Sequence, residues 1–291
     1  MTLRYGAVLS SLRSLRGDPT TSAIVPTAAS VPYRARPRRR GEIAPLADLY
    51  VPAHPSGASV VLVHGGGFVI GSRRMKPMRL LTAQLTATGI AVCALDYRMI
   101  FRGGGLAEAL QDVRDGFGFW SEQAAGFGLD PRAISLVGLS AGATLALLAG
   151  AGLDTVAGVV SCFGLYEIDH LRGPATLLPR LLFGTADRRA WAERSPRFAP
   201  QTSAPTLLLH GSDDGLVPVE QAHRLDEHRR ALGLATRLVI YDGAPHGFFN
   251  LAGHPAALAA TREIVDHVGH VGHVDHVRSA AVSERSRSST K

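Results

Sequence analysis

Cysteine is nearly absent: the 291 residues contain two, Cys93 and Cys162. That scarcity excludes a disulfide scaffold and a cysteine metal cluster, and a chain of this length builds a core without either. Lysine is equally scarce, with 2 residues against 29 arginines, and charged residues make up only 19% of the chain. No apolar run approaches the ~20 residues that a membrane span requires. Residues 1–20 alternate arginine and apolar residues and lack the apolar stretch of a secretory leader. The expectation is a cytoplasmic protein with no membrane span.

The formal net charge of +7 invites a nucleic-acid reading, but its distribution opposes one. Residues 1–40 hold eight arginines and one aspartate, and the stretch from Arg278 onward adds +3, which leaves residues 41–277 at −3. The basicity sits in the two ends. Arg34, Arg36, Arg38, Arg39 and Arg40 form the densest cluster, and a terminal run of this kind reads as a solvated arm. Nucleic acid is not an expected partner.

What is present is a rhythm. Runs rich in β-branched and aliphatic residues at 47–51, 59–64, 90–96, 133–139, 156–163, 206–210 and 236–241 alternate with helix-like stretches at 75–88, 106–125, 141–149, 219–232 and 256–267. Most runs are continuously apolar, as in strands covered on both faces, so the fold class is α/β with a mostly parallel central sheet and helices on both sides. The turn at 52–57 suggests that the first two strands, 47–51 and 59–64, form an antiparallel N-terminal hairpin. The expected organisation is an arm or partial cap at 1–45 without strands, one domain at 46–268, and a flexible tail at 269–291. Gly269 and Gly272 argue against a stable helix in that tail. His267, His270, His273 and His276, recurring every three residues across its start, point to no chemistry. Residues 164–200 form a long insertion, of the sort that builds lids or pocket walls.

In open α/β sheets, function gathers beyond the carboxyl ends of the strands. Gly138-Leu139-Ser140-Ala141-Gly142 stands where a strand passes into a helix. A sharp turn there lifts a serine hydroxyl above the sheet, and flanking glycines remove the Cβ atoms that would obstruct it. His64-Gly65-Gly66-Gly67-Phe68 ends another apolar strand, and its glycines can turn backbone N–H groups, with that of Ala141, toward an oxyanion. A serine needs a base, and the base needs orienting. His246, in the Gly/Pro-bounded loop after the run at 236–241, can reach Ser140. His223 and His228 fall on a polar helix, and His210 suits a local hydrogen bond. Asp213 and Asp214 both follow the run at 206–210, and sequence physics does not choose between them.

These motifs, taken together in order with DYR at 96–98 and HGSDDGLVP at 210–218, resemble the α/β-hydrolase esterase/lipase group, including hormone-sensitive-lipase-like and feruloyl-esterase-like carboxylesterases. The resemblance covers about residues 45–268 and implies the α/β-hydrolase fold. It makes Ser140 the nucleophile, His246 the base and Asp214 the orienting acid, because the group's pattern is H-G-x-x-D-x-x-V-P. Gly66, Gly67 and Ala141 become the oxyanion amides, while Asp96 and Arg98 become braces near the site. Two departures stand out. DYR continues as Met99-Ile100-Phe101-Arg102, unlike hormone-sensitive-lipase-like enzymes, which favours a feruloyl-esterase-like or related branch. Ala143 also stands where a second glycine is usual.

The implied reaction is hydrolysis of small acyl or aryl esters through an acyl-enzyme, with no metal or organic cofactor. Phe68, Val69, Ile70 and the run at 177–183 are candidate acyl-pocket walls. The absence of a long apolar lid disfavours interfacial triglyceride lipolysis. Amide or formamide hydrolysis (kynurenine formamidase-like) and acyl transfer to an alcohol would use the same residues. A non-catalytic ligand-binding homologue is the alternative of a different class.

Overall fold

The computed structural model describes residues 24–34, 41–251 and 253–288. Eight strands form one sheet: β1 (Ala28–Pro32), β2 (Leu46–Tyr50), β3 (Ser59–Val63), β4 (Ala91–Leu95), β5 (Ile134–Leu139), β6 (Gly158–Cys162), β7 (Thr206–Gly211) and β8 (Thr236–Tyr241). Their spatial order is β1-β2-β4-β3-β5-β6-β7-β8. All pairings from β4 to β8 are parallel, and β1 and β2 run antiparallel.

Side chains alternate between two cores, as the two-residue period of a strand requires. Val61, Val63, Cys93 and Leu95 face one core, which is completed by α2 (Leu106–Ala124) and α3 (Ala141–Gly150). Val60, Leu62, Val92 and Ala94 face the other, which is covered by α1 (Lys76–Ala87) and α7 (Pro255–Ser288). Every residue of α3 is buried, so this helix is apolar all round rather than amphipathic. The insertion at 164–200 contributes two short helices, α4 (Leu177–Phe183) and α5 (Arg188–Glu193). Between β7 and β8 runs α6 (Glu220–Ala231).

Three expectations require correction. The antiparallel hairpin at the N-terminal side is β1 with β2, whereas β2 pairs on its other edge with β4, Asp48 opposite Ala94, and not with β3. A tight hairpin from β2 to β3 is overridden because β3, apolar on both faces, is stable only inside the parallel sheet. Second, the first 40 residues do contain a strand. Val31 opposite Ala47 begins the sheet edge, and Ser30 N–H donates to the Asp48 carboxylate at 2.7 Å. The remainder of the expected arm, 1–23 and 35–40 with most of the arginine cluster, lies outside the described residues. Third, α7 runs through Gly269 and Gly272 to Ser288. Ala260, Ile264, Val268 and Val271 bury its first half, and extending a formed helix costs far less than nucleating one.

Candidate active site

Ser140 closes β5 and opens α3. Its N–H donates to Cys162 O at 2.9 Å, continuing the β5–β6 ladder, and its carbonyl accepts from Ala143 N at 2.9 Å, opening the helix. Held from both sides, it adopts φ 53° and ψ −116°, a conformation that non-glycine residues avoid unless their surroundings enforce it. The turn closes so tightly that a Cβ on Gly138 would lie 2.2 Å from Gly142 O, and one on Gly142 would lie 2.2 Å from Val63 O. Glycine at both positions is therefore a steric requirement of the elbow.

Ser140 Oγ lies 2.9 Å from His246 Nε2, and His246 Nδ1 lies 2.7 Å from Asp214 Oδ2. A carboxylate only accepts, so Nδ1 carries the proton and Nε2 presents its lone pair to the hydroxyl. The other Asp214 oxygen accepts from Leu216 N (2.9 Å) and Val217 N (2.8 Å), which fixes the plane of the carboxylate. The two aspartates left open by sequence differ in placement: Asp214 is buried against the imidazole, while Asp213 is exposed and its N–H donates to Ala244 O at 3.1 Å. Burial alone would raise the pKa of Asp214. The His246 ring and a hydrogen bond from His210 outweigh that effect and hold it well below the usual carboxylate range.

Gly66, Gly67 and Ala141 line the same cavity as Ser140 and His246, with Ala141 in the first turn of α3, where the helix dipole is positive. At φ 114°, Gly66 has Ile70 O only 1.8 Å from where a Cβ would stand, so no other residue fits. Beneath this loop His64 is fully buried, bonds Gly65 O through Nδ1 at 2.7 Å, and stacks on Tyr97 at 4.2 Å. Burial lowers its pKa; His64 is a neutral brace rather than a second base. Asp96 takes Arg73 N at 2.7 Å and pairs with its guanidinium, and Arg98 pairs with Asp112 at 2.8 Å. Asp96 thus ties down the segment after the glycine loop, whereas Arg98 anchors to α2, away from the cavity lining.

The cavity measures about 380 Å³ and its walls are almost wholly apolar. Phe68, Val69 and Ile70 line it as anticipated, and the insertion supplies Leu165, Leu171 and Leu178. Of the run at 177–183, only Leu178 reaches this cavity; Leu181, Leu182 and Phe183 line a different one. Sequence reasoning missed Phe163. It follows β6 directly with φ 43°, and its ring meets the His246 ring edge-on at 5.1 Å. The signal available was positional: Phe163 stands at a strand's carboxyl end beside the serine elbow. Among the described residues, no cluster of three or more His, Cys, Asp or Glu side chains is arranged to hold a metal ion, and no helix is long and apolar enough to cross a membrane.

The doubly covered parallel sheet, the serine elbow and the glycine loop over one cavity define an α/β-hydrolase. More narrowly, the chain belongs to the BD-FAE family, whose match spans residues 47–228. It is 29% identical over 246 residues to isoprenylcysteine alpha-carbonyl methylesterase ICME of Arabidopsis thaliana, covering 75% of this chain and 56% of that protein. It is 30% identical over 218 residues to Esterase LipC of Mycobacterium tuberculosis, covering 67% and 54%. The chain thus spans little more than half the length of these curated relatives. Among solved structures, a truncated carbohydrate esterase from gut microbiota matches with a TM-score of 0.72 at 19% identity, over 84% of this chain and 96% of that one. Esterase 2 of Thermogutta terrifontis phosphonylated by sarin matches with a TM-score of 0.70 at 22% identity, over 86% and 97%. These likenesses show the fold.

Proposed function

We propose that this protein is a serine carboxylesterase hydrolysing small, uncharged acyl or aryl esters, with residues 46–268 as its catalytic domain. The observation that carries the reading is the unbroken relay Ser140 Oγ–His246 Nε2 (2.9 Å) and His246 Nδ1–Asp214 Oδ2 (2.7 Å) at the floor of an apolar cavity. The esterase names of its relatives support the same chemistry. His246 takes the Ser140 proton as Oγ attacks the ester carbonyl, and the imidazolium is stabilised by Asp214. The amides of Gly66, Gly67 and Ala141 receive the oxyanion. Collapse of the tetrahedral intermediate breaks the bond to the alkoxy oxygen, which His246 protonates, leaving an acyl-Ser140 ester. Water then attacks the acyl carbon, His246 removing its proton, and the acid departs as Ser140 is reprotonated.

Hydrolysis of p-nitrophenyl butyrate by Ser140→Ala should fall by about 10³-fold or more, with an unchanged thermal melt. A fluorophosphonate probe should label the wild type once per chain and leave that variant unlabelled. Wild-type turnover in Ser140→Ala would refute the assignment.

A further inference from the structure

His210, at the end of β7, is a second imidazole on the Asp214 carboxylate. Its Nε2 lies 3.1 Å from Asp214 Oδ2 and 3.0 Å from Val217 O, and its side chain is fully buried. Both neighbours are acceptors, so Nε2 carries a proton and donates to both. Nδ1 is buried with no hydrogen-bond partner. A second proton there would be an unsatisfied buried donor, which is costly, so the geometry fits the Nε2–H tautomer. Asp214 Oδ2 therefore takes two imidazole N–H groups, one from His246 at 2.7 Å and one from His210.

We infer that His210 is a positioning residue that limits the pull of Asp214 on His246 and so sets the pH range over which His246 serves as base. The inference rests on the serine-esterase reading above. A donor on the shared oxygen draws off part of the carboxylate's charge, and its positive end opposes the developing imidazolium. Both effects disfavour protonated His246, which keeps the base free at lower pH. The titratable groups around the pair are few. His246 comes from the loop after β8, Tyr166 from the segment after β6 packs its ring near His210 at 6.4 Å, and Asp213 is exposed beside Asp214 in the chain. Among the described residues, no lysine or arginine lies within ion-pairing distance of Asp214. With no cation competing, the His210 N–H is the donor that shares Oδ2 with His246, while Leu216 and Val217 N–H hold the other oxygen.

The test compares pH profiles of kcat/KM for p-nitrophenyl butyrate in wild type, His210→Leu and His210→Gln, since a glutamine amide can place a donor near the Nε2 position. Removing the donor should move the acid limb to higher pH by about 0.5 unit or more, roughly a threefold loss below the limb. His210→Gln should restore most of it. A purely structural role would lower kcat/KM evenly at every pH with the limb unmoved, and that result overturns the inference. A second measurement needs no variant: ¹⁵N-histidine NMR of the wild-type protein should show His210 neutral and protonated at Nε2 throughout the acid limb. A charged His210, or one protonated at Nδ1, sinks the proposal. Because the tautomer is read without turnover, its failure is distinguishable from a failure of the esterase assignment, which the Ser140→Ala comparison tests.

Discussion

At the scale of single residues, the site is built from positions where one atom too many is excluded. Gly142→Ala would push a methyl into Val63 O, with an ideal separation of 2.2 Å. The expected cost is about 1–3 kcal/mol in chemical denaturation, as for overpacked cores, together with lost activity as the elbow shifts. Phe163→Ala removes the ring that meets His246 edge-on at 5.1 Å and part of the cavity wall. Truncating a buried aromatic costs about 3–5 kcal/mol. Steady-state kinetics should show kcat falling more than KM rises, because the imidazole loses its support while most of the pocket persists. The residues of the proposed triad were legible individually: Ser140 and His246 from motif and strand-end position, Asp214 only through resemblance. Asp213 and Asp214 are adjacent and chemically equal, so only the side-chain direction, set by Leu216 and Val217 N–H groups on Asp214, separates them.

At the scale of elements, the seven anticipated strands and the first four helices appear close to their expected limits, and the last helix starts where expected but runs on to Ser288, because long apolar runs and amphipathic stretches are local signals. The short edge strand β1, with its mixed pattern AASVP, carries no such signal and exists because β2 offers it a ladder. The insertion at 164–200 is likewise held by tertiary contacts. Glu167, fully buried, pairs with Arg197 and with Arg224 of α6. Burial alone would raise its pKa, but the hydrogen bonds from Arg224 and Arg197 outweigh this and lower it. Leu165 and Leu171, on either side of Glu167, line the cavity over Ser140. Glu167→Gln should therefore raise KM for p-nitrophenyl butyrate more than it lowers kcat, and reduce stability by roughly 2 kcal/mol. An unchanged KM would mean that the insertion holds its shape without this anchor.

Across the whole molecule, Asp48, Glu167 and Asp214 are buried carboxylates held below their ordinary range by arginine or histidine partners that outweigh burial. The folded state therefore binds fewer protons than the unfolded state in acid, and stability falls as pH falls. Thermal melts should be insensitive to these groups above roughly pH 4, the unfolded carboxylate range, and drop progressively below it. The cavity adds a selectivity prediction. No lysine, arginine, aspartate or glutamate lines it, so an acyl group ending in a carboxylate would be buried without a cationic partner of its own. A p-nitrophenyl hemisuccinate should be turned over at least about 10²-fold less efficiently than the butyrate, as measured by kcat/KM.

From the amino-acid order alone came the α/β class, seven of the eight strands, the five longer helices, the serine elbow motif, the glycine loop and the downstream histidine, because each is a local pattern of side-chain size, periodicity and backbone freedom. Sheet order, the partner of β2, the burial of Asp214 against His246, the edge-on placement of Phe163 and the second imidazole on the carboxylate depend on contacts between residues far apart in the chain. His210 and Asp214 are four residues apart, yet His246 meets them from another strand's end. No periodicity encodes that meeting; the packing of β7 against β8 brings it about.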